Sequence, residues 1–329
     1  MATTRGVAGT AGRTEGPGTL RQRAGAGLLA AVSWLACRLP EGPQIRLAEL
    51  IGELWYRLDT RRAAQARRNL RRVAAWLAVR ELGDPPARAA ADDPAALERL
   101  VRSAFRHYAR YYLDLARAPS YTPAYLAERV PIEQADNLRE ALGGGPVIFI
   151  GLHFGAIELQ AYVAAANSHR PLVTPMETID DPALQRYFVR TRGSIGIRIV
   201  GLREARRELA AALRRGDPVG IVADRDLTGG GMPATLFGAA TSLPLGPALL
   251  AVETGAPTWL TSVRRAAHGR YVGRIERLAV PAEGSRRERV SAFLEAEARA
   301  FEREIALAPD QWWAVFFPIW PDIETEAAA

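Results

Sequence analysis

The sequence contains no lysine and only one cysteine, Cys37. A single cysteine excludes an intramolecular disulfide and a metal site built from several cysteines. The chain also lacks the H-E-x-x-H zinc motif and the G-x-S-x-G motif of serine hydrolases. The histidines at 107, 169 and 268 show no metal-ligand spacing. We therefore expect no bound metal and no serine nucleophile.

A long apolar run is absent as well. The N-terminal apolar run at residues 24–37 has fourteen residues, whereas a helix needs roughly 20 to cross a bilayer. A signal peptide is disfavoured because no A-x-A cleavage site follows the run. We expect a helix that lies shallowly in the membrane interface, and the alternative is a buried N-terminal core helix.

Arginine alone supplies the basic charge, with 43 basic residues against 36 acidic ones and a net charge of +7. Seven arginines and a single acid lie between Arg57 and Arg72, giving a local net charge of +6. Such a patch attracts anionic surfaces, although a solvated helix face is the alternative. Nucleic acid is not expected, because aromatic residues are not interleaved and no nucleic-acid-binding signature occurs. With the preceding apolar run, the patch favours peripheral (monotopic) binding to an anionic membrane surface, at the cytoplasmic face of the cell membrane.

Composition divides the chain into four regions. Residues 1–20 are rich in Gly, Thr and Ala and are predicted to be disordered. Residues 21–120 are predicted to form a helical, basic, membrane-associating region, and residues 121–322 an α/β core. Residues 323–329 form an acidic and alanine-rich tail.

Short apolar runs with β-branched residues begin after the Gly-Gly-Gly-Pro stretch at 143–146 and predict buried strands. These runs are 147–152, 170–174, 197–201, 219–223 and 258–263. Helical stretches separate several of them, and the one at 203–215 ends at Gly216, a typical C-terminal cap. The pattern predicts an α/β fold with a mostly parallel central sheet flanked by helices, which binds ligands at the carboxyl ends of its strands.

His153 directly follows the first predicted strand, and Glu158 comes five positions later. In a continuous helix they would lie about 500° apart and on different faces, so contact requires a turn at His153. With Gly155 in that turn, the Glu158 carboxylate would fold back toward the imidazole and stabilise its protonated form, as suits a general base. A structural histidine and a zinc-ligand pair are the alternatives.

Several further blocks occur in a fixed order along the chain, at 67–70 (RRNL), 108–112 (YARYY), 223–228 (ADRDLT), 243–248 (LPLGPA), 309–312 (PDQW) and 318–320 (PIW). Together with the H-x4-[D/E] motif, they resemble the lysophospholipid and lipid A acyltransferase superfamily. The resemblance is strongest to its actinobacterial phosphatidylinositol mannoside branch and covers residues 44–322. It implies an acyltransferase that moves a long acyl chain from acyl-CoA to a hydroxyl of a membrane glycolipid such as a phosphatidylinositol mannoside.

The resemblance also implies roles for particular residues. The catalytic histidine, His153, pairs in that branch with the first acid of the 223–228 block, which is Asp224 here and glutamate in the resembling enzymes. Glu158 and Asp224 thus compete as its partner, and the motif is interpreted as a triad. Glu177 and Arg192 match positions that line the acceptor pocket, and surface roles are the alternative for both.

Arg225 has a guanidinium group that suits phosphate, while a salt bridge to a neighbouring aspartate is the alternative. We expect acyl-CoA as a co-substrate rather than a cofactor, and a monomeric protein. Acylation of a lipid A-like sugar, a lysophospholipid or glycerol phosphate, or use of acyl carrier protein as donor, remains open. A membrane-binding protein without catalytic activity is the alternative from another functional class.

Overall fold

A computed structural model describes residues 18–226 and 229–328 of the chain. Most of the segment predicted to be disordered, residues 1–17, lies outside this part, as do the last two residues of the 223–228 block. Thr19 accepts a hydrogen bond from the Gln22 N–H, and the Gln22 side chain accepts one from the Thr19 N–H. This capping box begins the first helix at Leu20.

Helices make up the N-terminal part of the structure. They are α1 (Leu20–Ala36), α2 (Glu41–Leu58), α3 (Thr60–Arg80), α4 (Pro85–Ala89), α5 (Pro94–Arg117), α6 (Pro123–Arg129) and α7 (Ala135–Ala141). Helix α2 packs along α5. A Cβ at Gly52 would lie 2.6 Å from the Phe105 carbonyl oxygen, so the glycine allows the two backbones to approach this closely.

A six-stranded sheet forms the centre of the C-terminal part, with strand order β3-β2-β4-β1-β7-β8. Its strands are β1 (Val147–Gly151), β2 (Leu172–Met176), β3 (Ile197–Gly201), β4 (Pro218–Val222), β7 (Thr258–Arg265) and β8 (Tyr271–Leu278), and β5 (Met232–Leu236) and β6 (Ala239–Leu243) form a separate antiparallel hairpin. All pairings in the large sheet are parallel except that of β7 with β8. The predicted α/β fold with a mostly parallel sheet is therefore confirmed.

The remaining helices flank this sheet and close the chain. They are α8 (Ile157–Asn167), α9 (Pro182–Gly193), α10 (Ala205–Arg214), α11 (Leu245–Thr254), α12 (Arg286–Ile305) and α13 (Pro321–Ala328). Two short 3-10 turns, Pro309–Gln311 and Trp313–Phe316, connect α12 to α13. The segment predicted as a tail thus includes most of α13, in which Ile323 is buried in the core.

The arginines between 57 and 72 lie mainly on α3, where several of them pair with acids from distant parts of the chain. These ion pairs are Arg67–Glu98 (2.9 Å), Arg68–Glu324 (3.6 Å) and Arg72–Asp322 (2.8 Å). The local charge available to an anionic surface is therefore smaller than the sequence alone indicates. Within residues 18–226 and 229–328, no helix is both long and apolar enough to cross a membrane.

Candidate active site

Strands β1 and β4 are neighbours and end together at one edge of the sheet, with Gly151 paired to Val222. The chain continues for two residues beyond each of them, to His153 and Asp224. Their side chains meet there: the His153 Nδ1 lies 2.7 Å from Oδ1 of Asp224, and the His153 backbone N–H donates to the same oxygen at 3.1 Å. Asp224 therefore reaches the imidazole directly, although it is one methylene shorter than glutamate.

The second oxygen of Asp224 accepts a hydrogen bond from Nε1 of Trp312 at 2.7 Å. Both Asp224 and Trp312 are buried. Burial alone would raise the pKa of Asp224, but the charge of His153 and the donors from His153 and Trp312 hold that pKa below its usual value. An ionised carboxylate only accepts, so Nδ1 of His153 carries a proton, and in the neutral form of the ring Nε2 has the lone pair that a general base needs.

The turn that carries His153 is fixed by its backbone. Gly155 has φ 55°, and a Cβ there would lie 2.1 Å from the Val263 carbonyl oxygen, so no other residue fits. The N–H of Gly155 donates to the Gln311 carbonyl at 2.9 Å, and the Trp313 N–H donates to the His153 carbonyl at 3.0 Å. The predicted strand-to-helix turn is present, and the 3-10 turns after α12 hold it in place.

Glu158 lies in the first turn of α8, as predicted, but its carboxylate pairs with Arg192 instead of folding back toward His153. The Arg192 Nη2 lies 2.5 Å from Oε1 of Glu158, and Nε lies 3.3 Å from Oε2. Burial alone would lower the pKa of Arg192, but the Glu158 charge and hydrogen bonds raise it. The expected triad is thus two separate pairs, His153 with Asp224 and Glu158 with Arg192.

An open cavity of about 410 Å³ lies in front of His153. Glu177, Arg192 and Arg225 all line it, so the structure brings together the residues predicted to bind substrate. The Arg225 guanidinium lies over the Phe317 ring at 3.6 Å. Burial lowers the pKa of Arg225, while the charges of nearby acids act in the opposite direction.

Arg225 makes neither of the salt bridges considered from the sequence. Asp226 accepts hydrogen bonds from the N–H groups of Gly229 (2.9 Å) and Gly231 (2.8 Å). Asp224 is occupied by His153 and Trp312. Among residues 18–226 and 229–328, no acceptor is seen for the Arg225 guanidinium, so its donors face the open cavity with Phe317 as a stacking surface.

A second, more enclosed cavity of about 200 Å³ runs from His153 beneath α8. Its lining is mostly apolar and comes from α8 and from strands β1 to β4, including Phe149, Ile157, Ala161, Ala164, Leu172, Ile197, Ile199 and Val222. His153, Tyr111 and Trp313 line both cavities. The Trp313 ring meets the His153 ring edge to face at 4.3 Å. The imidazole therefore lies where the open cavity that carries Glu177 and Arg225 meets the more enclosed pocket.

Sequence reasoning gave no role to Trp312 or Trp313, although the block at 309–312 contributes to the family resemblance. Their contacts with Asp224 and His153 join segments about 90 to 160 positions apart, and local spacing carries no signal at that range.

The LPLGPA block lies partly in α11, where Pro247 and Ala248 are buried, so that run belongs to the core. In the described part of the chain, no three His, Cys, Asp or Glu side chains could hold a metal ion together.

Residues 19–317 match the family model of bacterial lipid A biosynthesis acyltransferases. The chain belongs to this family. Family membership identifies the reaction class as acyl transfer, so the site around His153 is the candidate active site of an acyltransferase.

Two relatives of this acyltransferase carry the name phosphatidylinositol mannoside acyltransferase. The protein of Mycolicibacterium smegmatis is 35% identical over 197 residues, which cover 58% of this chain and 60% of the relative. The protein of Mycobacterium tuberculosis is 32% identical over 256 residues, which cover 75% of this chain and 74% of the relative.

Proposed function

We propose that this acyltransferase transfers a long fatty acyl chain from acyl-CoA to a hydroxyl of a membrane glycolipid of the phosphatidylinositol mannoside kind. The observation that carries the proposal is the position of His153. His153 lines both the open cavity, where the charged side chains of Glu177 and Arg225 suit a polar head group, and the more enclosed, mostly apolar pocket, which suits an acyl chain. The names of the two relatives support the acceptor class.

The proposed step is a direct transfer with His153 as general base. Nε2 removes the proton from the acceptor hydroxyl while the oxygen attacks the thioester carbonyl, and Asp224 stabilises the imidazolium that forms. The carbon–sulfur bond then breaks, the coenzyme A thiolate leaves, and the imidazolium returns its proton to the thiolate or to solvent. No acyl-enzyme is formed, and Cys37 has no part in the step.

The tetrahedral oxyanion needs hydrogen-bond donors. The N–H groups of Gly155 and Ala156 already donate to the carbonyls of Gln311 and Val263. The first residues of α8, Ile157 and Glu158, have no intrahelical acceptor for their N–H groups. We assign the oxyanion to this helix start, where the helix dipole also favours negative charge.

Arg225 is the proposed anchor for a phosphate of the acceptor or of coenzyme A. Its guanidinium is oriented by Phe317 and lines the opening in front of His153, and guanidinium groups hold phosphate through paired hydrogen bonds. Arg192 has a different task, because its donors are engaged by Glu158. This buried pair supports the wall shared by the two cavities.

Membrane binding is proposed to use the outer faces of α1 and α2, at the cytoplasmic side of the cell membrane. Five apolar side chains of α2 follow one another at spacings of one to four residues and are between 51% and 73% exposed: Leu47, Leu50, Ile51, Leu54 and Leu58. On α1, Leu28, Val32, Trp34 and Leu35 are also exposed. A stripe of this kind on a peripheral protein suits shallow insertion between lipid head groups.

The test of the catalytic proposal is transfer of a labelled acyl group from long-chain acyl-CoA to purified phosphatidylinositol mannoside. The variant His153→Ala should lose about 100-fold or more in rate, because it removes the general base. His169→Ala is the matched control, since His169 is exposed on the loop between α8 and β2, and it should keep full activity. Undiminished activity of His153→Ala would refute the assignment.

Acyl transfer to an acceptor other than the mannoside is the alternative within the same reaction class. A competition assay among the mannoside, a lipid A-like sugar, a lysophospholipid and glycerol phosphate separates them, and acyl carrier protein is tested as the donor in the same assay. A membrane-binding protein without catalysis would bind vesicles and give no turnover with any acceptor. The contact between His153 and Asp224 argues against that alternative.

A further inference from the structure

A small third cavity of about 30 Å³ lies beside the apolar pocket, on the β7 side of α8. Its lining includes several residues that do not line the larger pocket, namely Val163 of α8, Ser262 and Val263 of β7, and Arg274 and Ile275 of β8. Four residues line both cavities: Phe149, Gln160, Ala164 and Thr261. Only a thin partition of side chains therefore separates the two spaces.

Gln160 is the long polar side chain in this partition. Its Nε2 donates to Oγ1 of Thr261 at 2.7 Å. Its Oε1 is buried and finds no hydrogen-bond partner in the described part of the chain. A polar group in an apolar lining costs stability when it is left unsatisfied, so packing alone does not account for glutamine at this position.

The backbone beneath Gln160 makes room for its amide group. A Cβ on Gly151 would lie 2.3 Å from the Gln160 Nε2, so the glycine at the end of β1 allows the side chain to lie across the strand. The hydrogen bond to Thr261 then fixes it in that position. The side chain is thus held as a barrier between the pocket next to His153 and the space toward β8.

We propose that Gln160 is the wall that limits the length of the acyl chain accepted by the pocket. This inference rests on the proposed function, in which the acyl chain enters beside His153 and runs beneath α8. The end of a longer acyl chain contacts the Gln160 amide on the side toward β7, and the pocket has no space for additional methylene groups. Shortening the side chain joins the two cavities, and longer chains then fit.

The experiment measures kcat/KM for a series of saturated acyl-CoA esters of increasing chain length, with the mannoside as acceptor. The quantity compared is kcat/KM for chains longer than the wild-type optimum, divided by kcat/KM for that optimum. In Gln160→Ala this ratio should rise by about tenfold or more, because the pocket gains room for further methylenes. In Gln160→Met, which keeps the length of the side chain, the wild-type preference should remain.

Val163→Leu serves as a second control, because Val163 lines the small cavity and not the larger pocket. Alone it should leave the preference unchanged, and combined with Gln160→Ala it should reverse part of the shift. An active Gln160→Ala variant with the wild-type preference would overturn the inference and leave the proposed function intact. A wild-type protein that uses no acyl-CoA of any length would overturn the proposed function itself.

Discussion

Two buried carboxyl groups in the core behave in opposite ways. Asp224 accepts hydrogen bonds from His153 and Trp312, and these hold its pKa below the usual value despite burial. Glu297 on α12 is 0% exposed, and neither of its carboxylate oxygens has a hydrogen-bond partner in the described part of the chain. Burial and the nearby charge of Asp224 raise the pKa of Glu297 well above its usual value. The surroundings therefore favour the ionised form of Asp224 and the protonated form of Glu297.

A neutral Glu297 makes stability depend on pH. Below about pH 4.3 the carboxyl group is protonated in both the folded and the unfolded chain, and it then adds no pH dependence to the stability. Above that pH the unfolded chain releases the proton while the folded one keeps it, so the free energy of unfolding falls by about 1.4 kcal/mol per pH unit until the raised pKa is reached. Glu297→Gln has nearly the same shape and no proton to release.

We expect the stability gain of Glu297→Gln over the wild type to grow as the pH rises. Urea unfolding at several pH values from about pH 5 to pH 8 measures this gain. Glu295→Gln is the matched control on the same helix, since Glu295 is exposed, and its difference from the wild type should stay small at every pH. A gain for Glu297→Gln that is constant with pH would contradict the raised pKa.

The pairing of His153 with Asp224 followed from the family resemblance, and the need for a turn at His153 followed from the spacing to Glu158. The partner of Glu158 could not be obtained in this way. Arg192 is 34 positions from Glu158, and the tertiary fold brings the last turn of α9 to the first turn of α8 at this ion pair. Contacts of this kind depend on the tertiary arrangement, which local patterns do not encode.

The strands differ in how readily the sequence reveals them. The five parallel strands are short apolar runs, because neighbours cover both faces of the sheet. The edge strand β8 alternates between buried and partly exposed residues. The hairpin of β5 and β6 has several exposed residues and pairs only with itself. Neither β8 nor the hairpin carries a continuous apolar signal, so the sequence pattern did not predict these three strands.

The helices of the N-terminal region differ in how well their surfaces suit the proposed membrane contact. From the sequence, the run at 24–37 and the arginines of 57–72 were the candidates. The ion pairs of α3 now account for several of those arginines. Helix α2 has a buried face against α5, with Ala48 and Gly52, and an exposed apolar stripe on the other side. The stripe is the stronger candidate for the membrane contact.

Replacing Leu50 and Leu54 together by glutamate should weaken binding to anionic phosphatidylglycerol vesicles by about tenfold or more. Each leucine that enters the apolar layer contributes roughly 1.5–3 kcal/mol, and a carboxylate is repelled by the anionic surface. Co-sedimentation with the vesicles measures the effect. Val79→Glu is the control, because Val79 is an exposed apolar residue of α3, and it should bind as the wild type does. Equal binding of the double variant would exclude α2 as the docking face.

At the scale of the whole molecule, the helical region and the α/β part share one core. Buried residues of α3 and α5, such as Leu70 and Phe105, belong to the same cluster as Ile148 of the sheet. Phe105 also meets Phe316 edge to face, with ring centroids 4.7 Å apart. The N-terminal helices thus support the segment after α12 that carries Trp312 and Trp313.

Asn69 of α3 makes this link with hydrogen bonds. Its Nδ2 donates to the carbonyl oxygens of Val315 (2.8 Å) and Phe317 (2.9 Å), and the residue is 0% exposed. Asn69→Ala leaves both acceptors without this donor, which should cost about 1–3 kcal/mol in the free energy of unfolding. Because the same segment positions the His153 turn, activity should fall as well.

Urea unfolding and the acyl-transfer assay measure the two effects in the same samples. Asn167→Ala is the matched control, since Asn167 is exposed and its Nδ2 donates within α8, to the Val163 carbonyl. It should change neither quantity appreciably. If Asn69→Ala lowered stability and left the rate per folded molecule unchanged, the helical region would contribute to the core without positioning the site. A drop in both for Asn69→Ala, without one in the control, would show that α3 helps to position the active site.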